Sequence, residues 1–136
     1  KNNLQLDHIT NNKIVPMYRT NIKNFSSGVF GGNMVTSMRI FKECHAEKVV
    51  TISKKFSQAH GDPVHIGNPN KIGIYDILKP SWGDPPRLKN PNENYFFWAC
   101  GVTPQSAVME AKLPFCITHT PGHMLITETS EDKVYF

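Results

Sequence analysis

The chain has 136 residues, a formal net charge of +4 and an isoelectric point near 9.0, with 39% hydrophobic and 19% charged residues. This length fits one domain with its own core, and the composition excludes an intrinsically disordered chain. No apolar run approaches the roughly 20 residues of a membrane span. The basic residues are scattered, with only Lys54 and Lys55 adjacent. We therefore expect neither a membrane protein nor a nucleic-acid-binding protein.

The cysteines are few and widely spaced. Cys44, Cys100 and Cys116 include no CxxC pair, and an odd number argues against a disulfide framework. We therefore predict a reducing compartment, either the cytoplasm or the mitochondrial matrix. Ten prolines and nine glycines predict a loop-rich fold in which many turns are specified individually.

The N-terminal third is predicted to supply an arm and two strands. Residues 1–13 are polar and form the predicted arm, and residues 14–136 form the predicted single domain. Strand-like residues at 14–22 include Pro16, which places this strand at an edge of the sheet. Residues 34–40 alternate apolar and polar side chains and predict a half-buried strand.

The middle of the chain is predicted to contain the longest helix. Apolar side chains within 43–56 recur at helical spacing on one face. The β-branched run 49–52 leaves a strand open as the alternative. Asn68 followed by Pro69 predicts a short helical turn. Residues 79–94 contain four prolines and predict a long loop, of the kind that usually has a function.

Two apolar runs organise the C-terminal third. The first, 95–100, is a predicted strand, and Thr103 followed by Pro104 predicts a helix with Thr103 as N-cap. The second, 113–117, is a predicted buried strand that ends in a polar turn at 118–123. Ligands commonly bind beyond the carboxyl ends of strands when helices connect them, so both turns are predicted to form the floor of a site. The tail, 125–136, begins with alternation and predicts an edge strand.

Four of the six histidines form two pairs flanked by glycine and proline, His60 with His65 and His119 with His123. Acid–base or hydrogen-bonding chemistry is the first interpretation of these pairs. A zinc site completed by Asp62 or Asp84 is the second, although neither pair matches the HExxH pattern. The third interpretation is that these histidines stabilise turns.

Cys100 lies just before the predicted helix start. A helix N-terminus lowers the pKa of a nearby thiol, which would make Cys100 a nucleophile. The competing interpretation is a small buried core residue, which unpaired cysteines commonly are. Cys116 lies in the middle of an apolar run and is predicted to be buried in the core.

Several residues have the chemistry to bind a carboxylate. They are Arg19, Arg39, Gly101, Thr103, Gln105 and Thr118. Arginine binds carboxylates with two parallel hydrogen bonds. The unpaired N–H groups of the helix that starts near Thr103 would form an anion-binding cradle. Surface ion pairs remain the alternative for the two arginines.

Five blocks of the sequence resemble the D-glutamate cyclase family, whose bacterial members are often labelled hydro-lyases. In the order of the family they are VPMYRTN at 15–21, VTSMR at 35–39, HGDPVHIG at 60–67, FWACGVTPQ at 97–105 and ITHTPGHM at 117–124. No short generic motif would produce all five in this order.

The resemblance implies an α/β fold with an α+β subdomain, in which a mixed sheet is joined to a few helices by many loops. It also implies conversion of D-glutamate to 5-oxo-D-proline and water. We expect this reaction to need no organic cofactor, and we assign no metal ligands to it. Arg19 or Arg39 would hold the α-carboxylate of the substrate. Protons would be exchanged by histidines from the set His60, His65, His119 and His123, and a thioester on Cys100 is a covalent alternative.

The sequence also departs from the family. Asn68 and Glu128 stand where the family usually has aspartate, and the N-terminal half of the family is not recognisable. We therefore expect a C-terminal half whose site is completed by an upstream segment or a second chain. Two further functions remain open, a non-enzymatic carboxylate-binding or protein-interaction module and a histidine-ligated zinc hydrolase.

Overall fold

A four-stranded sheet is the framework of the computed structural model, which describes residues 4–123 and 128. Its strands, in the spatial order β1-β2-β4-β3, are β1 (Met17–Lys23), β2 (Asn33–Lys42), β3 (His65–Ile66) and β4 (Glu93–Ala99). The described helices are α1 (Asp7–Thr10), α2 (Ala46–Lys54) and α3 (Thr103–Glu110), with short 3-10 turns at Glu43–His45 and Pro69–Ile72. The predicted α/β class is confirmed.

The three strand pairings are antiparallel, where a mixed sheet was expected. The connection from β2 to β4 contains α2 and β3, yet it returns the chain in the opposite direction instead of crossing over to a parallel neighbour. β1 lies at an edge, as the proline before it predicted.

Strand β2 is buried on both faces, more completely than the half-buried strand predicted from its pattern. Met38 and Ile40 point to one face, where they pack with Tyr95 and Phe97 of β4 and with residues after the second 3-10 turn. We call this the first face. The hydroxyl of Tyr18 on this face donates a 2.6 Å hydrogen bond to the carbonyl of Ile77.

The opposite face, which we call the helical face, is covered in two separate places. Val49 of α2 packs on Phe41, Phe96 and Trp98. Near the start of β2, Val102 packs on Val35 in a second cluster. The helical face therefore has one cover toward the end of β2 and another toward its start.

The helix predicted over 43–56 is confirmed, although it begins as a 3-10 turn and α2 ends at Lys54. The turn at Asn68 is also confirmed, because the Asn68 side chain accepts a hydrogen bond from the Asn70 N–H at 3.0 Å. The segment 79–94 is mostly irregular, as predicted, and β4 begins at its end.

Two predictions for the C-terminal third are wrong. Thr103 is the first residue of α3 and not its N-cap, which is Val102. The run 113–117 forms no strand and is not buried, since Phe115 and Ile117 are 77% and 82% exposed. Lys112 adopts a positive φ of 52° after α3, and the described sheet offers the next residues no pairing partner.

Cys116 is consequently exposed, which corrects its predicted place in the core. All three cysteines are unpaired. The tail strand predicted over 125–136 falls outside the described residues except for position 128. In the described part of the chain, no helix has the length and apolarity needed to cross a bilayer.

Arg87 joins the N-terminal segment to the sheet. Its Nη1 and Nη2 donate to the two carboxylate oxygens of Glu93 at 2.7 and 2.9 Å, and its Nε lies 2.9 Å from Asp7 Oδ2. The hydrogen bonds from Arg87, with support from the Asn90 N–H, lower the pKa of the buried Glu93 carboxyl to about 2. Helix α1, the long loop and β4 are therefore tied together at one guanidinium.

We expect Arg87→Met to lower the free energy of unfolding by about 2 kcal/mol at pH 7, because it leaves a buried carboxylate without its charged donor. Lys79→Met is the matched control. Lys79 pairs with Asp76 at an exposed site, 3.2 Å apart, and its loss should cost no more than about 0.5 kcal/mol. Urea unfolding of both variants measures the difference, and equal losses would contradict the prediction.

The pH dependence of this effect has a defined sign. The pKa of Glu93 is lower in the folded state than in the unfolded state, so its contribution is present above the unfolded value near 4.5 and is lost as pH falls toward about 2. The difference between wild type and Arg87→Met should therefore shrink over that acidic range.

Candidate active site around Arg39

Arg39 is a largely buried cation on the helical face of β2. Its Nη1 donates to Ser37 Oγ at 3.1 Å, and its guanidinium carbon lies 5.1 Å from the centre of the Trp98 ring. No carboxylate of the described residues lies within ion-pair distance of it. Burial lowers the pKa of Arg39, and the side chain nevertheless stays charged near neutral pH. A cation in this position is suited to an anionic ligand.

The strand register explains why Arg39 remains accessible. Arg39 pairs with Phe96, and Ser37 pairs with Trp98, so Arg39 shares its face with these side chains. Phe41 lies under α2 and Val35 lies beside Val102, one on each side of Arg39 along the strand. The gap between these two covers leaves room around the guanidinium.

A cavity of about 560 Å³ opens on one side of Arg39, and we call it the large cavity. Within the described part of the chain, Arg39 and His60 are its only ionisable lining side chains. Its other walls are mainly apolar and come from the N-terminal segment, the sheet and α2. The apolar side chains are Leu4, Leu6, Phe41, Val49, Ile52, Phe56, Ala59 and Trp98.

A second cavity of about 280 Å³ also reaches Arg39, and we call it the small cavity. Its lining is richer in charge and comes from α1, the residues that follow it and the long loop. The ionisable side chains are Asp7, His8, Lys13, Arg39, Asp84 and Arg87. Arg39 lines both cavities, and its charge also acts on His8 of the small one, so a ligand in either cavity would be close to this cation.

His60 lies in the large cavity with a defined proton arrangement. Its Nδ1 is 2.7 Å from the carbonyl oxygen of Ala99. A carbonyl oxygen only accepts hydrogen bonds, so Nδ1 carries the proton and Nε2 is the accepting nitrogen of the neutral ring. This arrangement suits a group that receives a proton from a ligand.

His8 also belongs to the candidate site, although it was not among the residues predicted from the sequence. It lines the small cavity. Burial lowers its pKa, Arg39 lowers it further, and Asp7 opposes the shift. A neutral imidazole is therefore favoured near pH 7. No local sequence pattern indicates this position, because a contact between distant residues sets it: the Asp7–Arg87 ion pair brings the N-terminal segment to the sheet.

The two predicted histidine pairs are not assembled into one cluster. His65 pairs with Phe97 in β3, which places it on the first face, and its Nε2 lies 2.9 Å from the Asn68 carbonyl oxygen. His60 is on the helical face. His119 is held through its carbonyl oxygen, which accepts from Gln105 Nε2 at 2.8 Å. The ring of His123 contacts the carbonyl of Pro121.

Cys100 is half-buried, and the direction of its pKa shift is opposite to the one that a nucleophilic thiolate would need. Burial raises the pKa of the thiol, while the Val102 N–H and the charge of Arg39 oppose the rise. The thiol form is therefore favoured near neutral pH. This state fits the small core residue that was the alternative interpretation.

The other predicted binding residues make contacts within the protein. Arg19 is exposed on β1 and lies 5.0 Å from the centre of the Trp82 ring. The Thr103 hydroxyl accepts from the Val35 N–H at 3.0 Å and donates to the Val35 carbonyl at 3.1 Å. The Thr118 hydroxyl donates to the carbonyl of the next residue.

Gly101 is exposed, with open space where a side chain would be. Neither cavity is lined by any predicted binding or catalytic residue except Arg39 and His60. Within residues 4–123 and position 128, no three side chains of histidine, cysteine, aspartate or glutamate gather as metal ligands would. The zinc interpretation therefore has no ligand set in this part of the chain.

Comparison with known proteins identifies relatives for most of the chain. A family model described as D-glutamate cyclase matches residues 1–128. A Pelagibacter ubique protein named "Putative hydro-lyase" is 50% identical over 125 residues, which cover 92% of this chain and 48% of that protein. A Bradyrhizobium protein of the same name is 54% identical over 125 residues, covering 92% of this chain and 46% of its own length.

A third relative, from Dinoroseobacter shibae, also carries that name and is 50% identical over 129 residues, or 95% of this chain and 43% of its own. The chain spans about half the length of the curated relatives it matches. The resemblance carried by the five sequence blocks is confirmed. Since the family model covers all but the last few residues, the chain belongs to the D-glutamate cyclase family.

Proposed function

We propose that this chain provides the substrate-binding part of a hydro-lyase that acts on a small amino acid, with D-glutamate as the first candidate. The observation that carries the proposal is Arg39, a partly buried cation with no carboxylate partner in the described residues, which lines both cavities. Membership of the D-glutamate cyclase family supports the reaction type. The names of the relatives support loss of water.

The proposed reaction sets clear chemical requirements. A bond forms between the α-amino nitrogen and the γ-carboxyl carbon of D-glutamate, and one γ-carboxyl oxygen leaves as water. The ammonium group loses two protons and the leaving oxygen gains two, so atoms and charges balance without an oxidant or reductant. The site must therefore hold the α-carboxylate, accept a proton from the ammonium group and donate a proton to the leaving oxygen.

The small cavity meets these requirements best. Arg39 would hold the α-carboxylate with two hydrogen bonds. Lys13 lines the same cavity and would attract the second carboxylate; its ammonium donates to the Pro85 carbonyl at 3.4 Å. His8, whose lowered pKa favours the neutral ring, would accept the proton.

His60 is the second candidate for proton exchange, since its Nε2 is the accepting nitrogen. It lines the large cavity together with Arg39, which also lines the small cavity. Neither cavity is lined by the other predicted catalytic residues, His65, His119, His123 and Cys100. Their catalytic roles stay predictions. The binding roles of Arg19, Gly101, Thr103, Gln105 and Thr118 likewise stay predictions.

The proposal includes a further protein segment, because the chain matches about half of its relatives' length. The exposed apolar residues Leu113, Phe115 and Ile117 offer such a segment a surface on which to pack. A second candidate function follows from the same fact. A carboxylate-binding module that lacks turnover would retain Arg39 and bind the amino acid without converting it.

Formation of 5-oxoproline from D-glutamate, measured by mass spectrometry, tests the reaction. We expect Arg39→Gln to lower kcat/KM about 100-fold, because the loss of a paired charge-assisted contact costs nearly 3 kcal/mol in the transition state. Arg19→Gln is the matched variant and should change kcat/KM by less than about threefold. If the large loss falls on Arg19, the other predicted arginine is the anchor.

Calorimetric titration with D-glutamate separates the two candidate functions. Binding without turnover would support the module. Turnover that appears only after the uncovered segment of a relative is added would support the two-part enzyme. If the chain neither binds nor converts D-glutamate under either condition, the proposal fails for this substrate.

The pH profile tests His8. If neutral His8 accepts the proton, kcat/KM should fall as pH decreases through a pKa below the ordinary histidine value of about 6.5. His8→Gln should remove this acidic limb and lower kcat/KM about 100-fold. His45→Gln, which changes a histidine outside both cavities, should preserve the limb, and an unchanged limb in His8→Gln would assign it to another group.

A further inference from the structure

The large cavity is not explained by a small amino acid. At about 560 Å³ it is twice as large as the small cavity and lies within the range typical of organic ligands. A molecule with charges at both ends would place one of them against apolar walls, where it would lose hydration without a partner. D-glutamate therefore fits this side of Arg39 poorly.

The chemistry of the walls defines a different ligand. The positive charge of Arg39 is held in place, because its Nη1 donates a hydrogen bond to Ser37 Oγ at 3.1 Å. Trp98 supports the guanidinium from one side and also forms part of the cavity wall. Val49, Ile52 and Phe56 of α2 and its C-terminal extension, with Leu4 and Leu6, supply apolar surface beyond it.

We propose that the large cavity binds an amphipathic monocarboxylate, with its carboxylate on Arg39 and its apolar chain between α2 and the sheet. A single anionic group satisfies the cation that the described residues leave without a counter-ion. The apolar chain removes the cavity walls from water, which is the main source of affinity for such a ligand.

This inference rests on the proposed function for one point, the role of Arg39 as an anion anchor. It goes beyond that function because the ligand class and the cavity differ. Both ligands use the same guanidinium, so an amphipathic monocarboxylate and D-glutamate would compete for it. Binding of either one can nevertheless be measured without the other.

Calorimetric titration of the full chain with butanoate, hexanoate and octanoate tests the proposal. Affinity should rise about fourfold for each added methylene until the cavity is filled. The heat-capacity change on binding should become more negative along the same series. 1-Octanol, which has the same chain without the carboxylate, should bind at least tenfold more weakly than octanoate.

Two variants locate the ligand. Arg39→Gln should weaken octanoate at least tenfold, and Ser53→Phe, which adds volume to a cavity wall on α2, should abolish the gain with chain length. Lys48→Gln changes an exposed lysine of the same helix and should leave octanoate binding unchanged. If Arg39→Gln fails to fold, the comparison of octanoate with 1-octanol still tests the anchor.

The outcomes separate this inference from the proposed function. Affinity independent of chain length, or equal for octanoate and 1-octanol, overturns the inference even if D-glutamate binds. Chain-length-dependent binding that is lost in Arg39→Gln supports it even if D-glutamate neither binds nor reacts. Competition between octanoate and D-glutamate would place both ligands on Arg39.

Discussion

The constraint on which this structure depends is the burial of β2 on both faces. A strand in this position requires apolar side chains or satisfied polar ones; the charged Arg39 departs from this rule, as does the Thr36 hydroxyl, which has no hydrogen-bond partner among the described residues. Moving a charge out of water costs several kcal/mol, whereas one hydrogen bond to Ser37 and a cation–π contact with Trp98 together return about 2 to 3 kcal/mol. These two contacts do not offset the whole cost of removing the charge from water, and a bound anion would offset part of what is left.

The N-terminal segment and α2 turn this cation into a site. Leu4 and Leu6 pack on the helical face, and Asp7 contacts Arg87, which is itself fixed by Glu93. This chain of contacts brings His8 near Arg39. The site therefore depends on an ion-pair cluster, of which Asp7 and Arg87 also line the small cavity.

Local patterns predicted those parts of the fold in which the pattern itself is the cause. Pro16 implied an edge strand because it cannot donate to a sheet ladder, and the spacing of apolar residues after Glu43 implied α2. The run 113–117 was misassigned because an apolar pattern shows a preference for burial but not what will cover it. Its cover is absent from the described residues.

The candidate site was only partly predictable for a similar reason. Arg39 could be proposed because arginine binds carboxylates, and His60 because it forms a pair with His65 flanked by glycine and proline; both also lie in blocks that resemble the family. His8 could not, since its position depends on contacts between residues 80 positions apart in sequence, Asp7 and Arg87. Both histidine pairs are flanked by glycine and proline, yet His60 lies on the helical face while His65 lies on the first face, because His65 pairs with Phe97 in the sheet.

The shared guanidinium links the two proposed ligands energetically. Arg39 already donates from Nη1 to Ser37, so two carboxylates would have to share its remaining N–H groups and would repel each other, and an amphipathic acid in the large cavity is expected to weaken binding in the small one. The coupling is reciprocal, as any such linkage must be. An amphipathic acid of this class would thus act as a competitive inhibitor of the proposed hydro-lyase without touching His8 or Lys13.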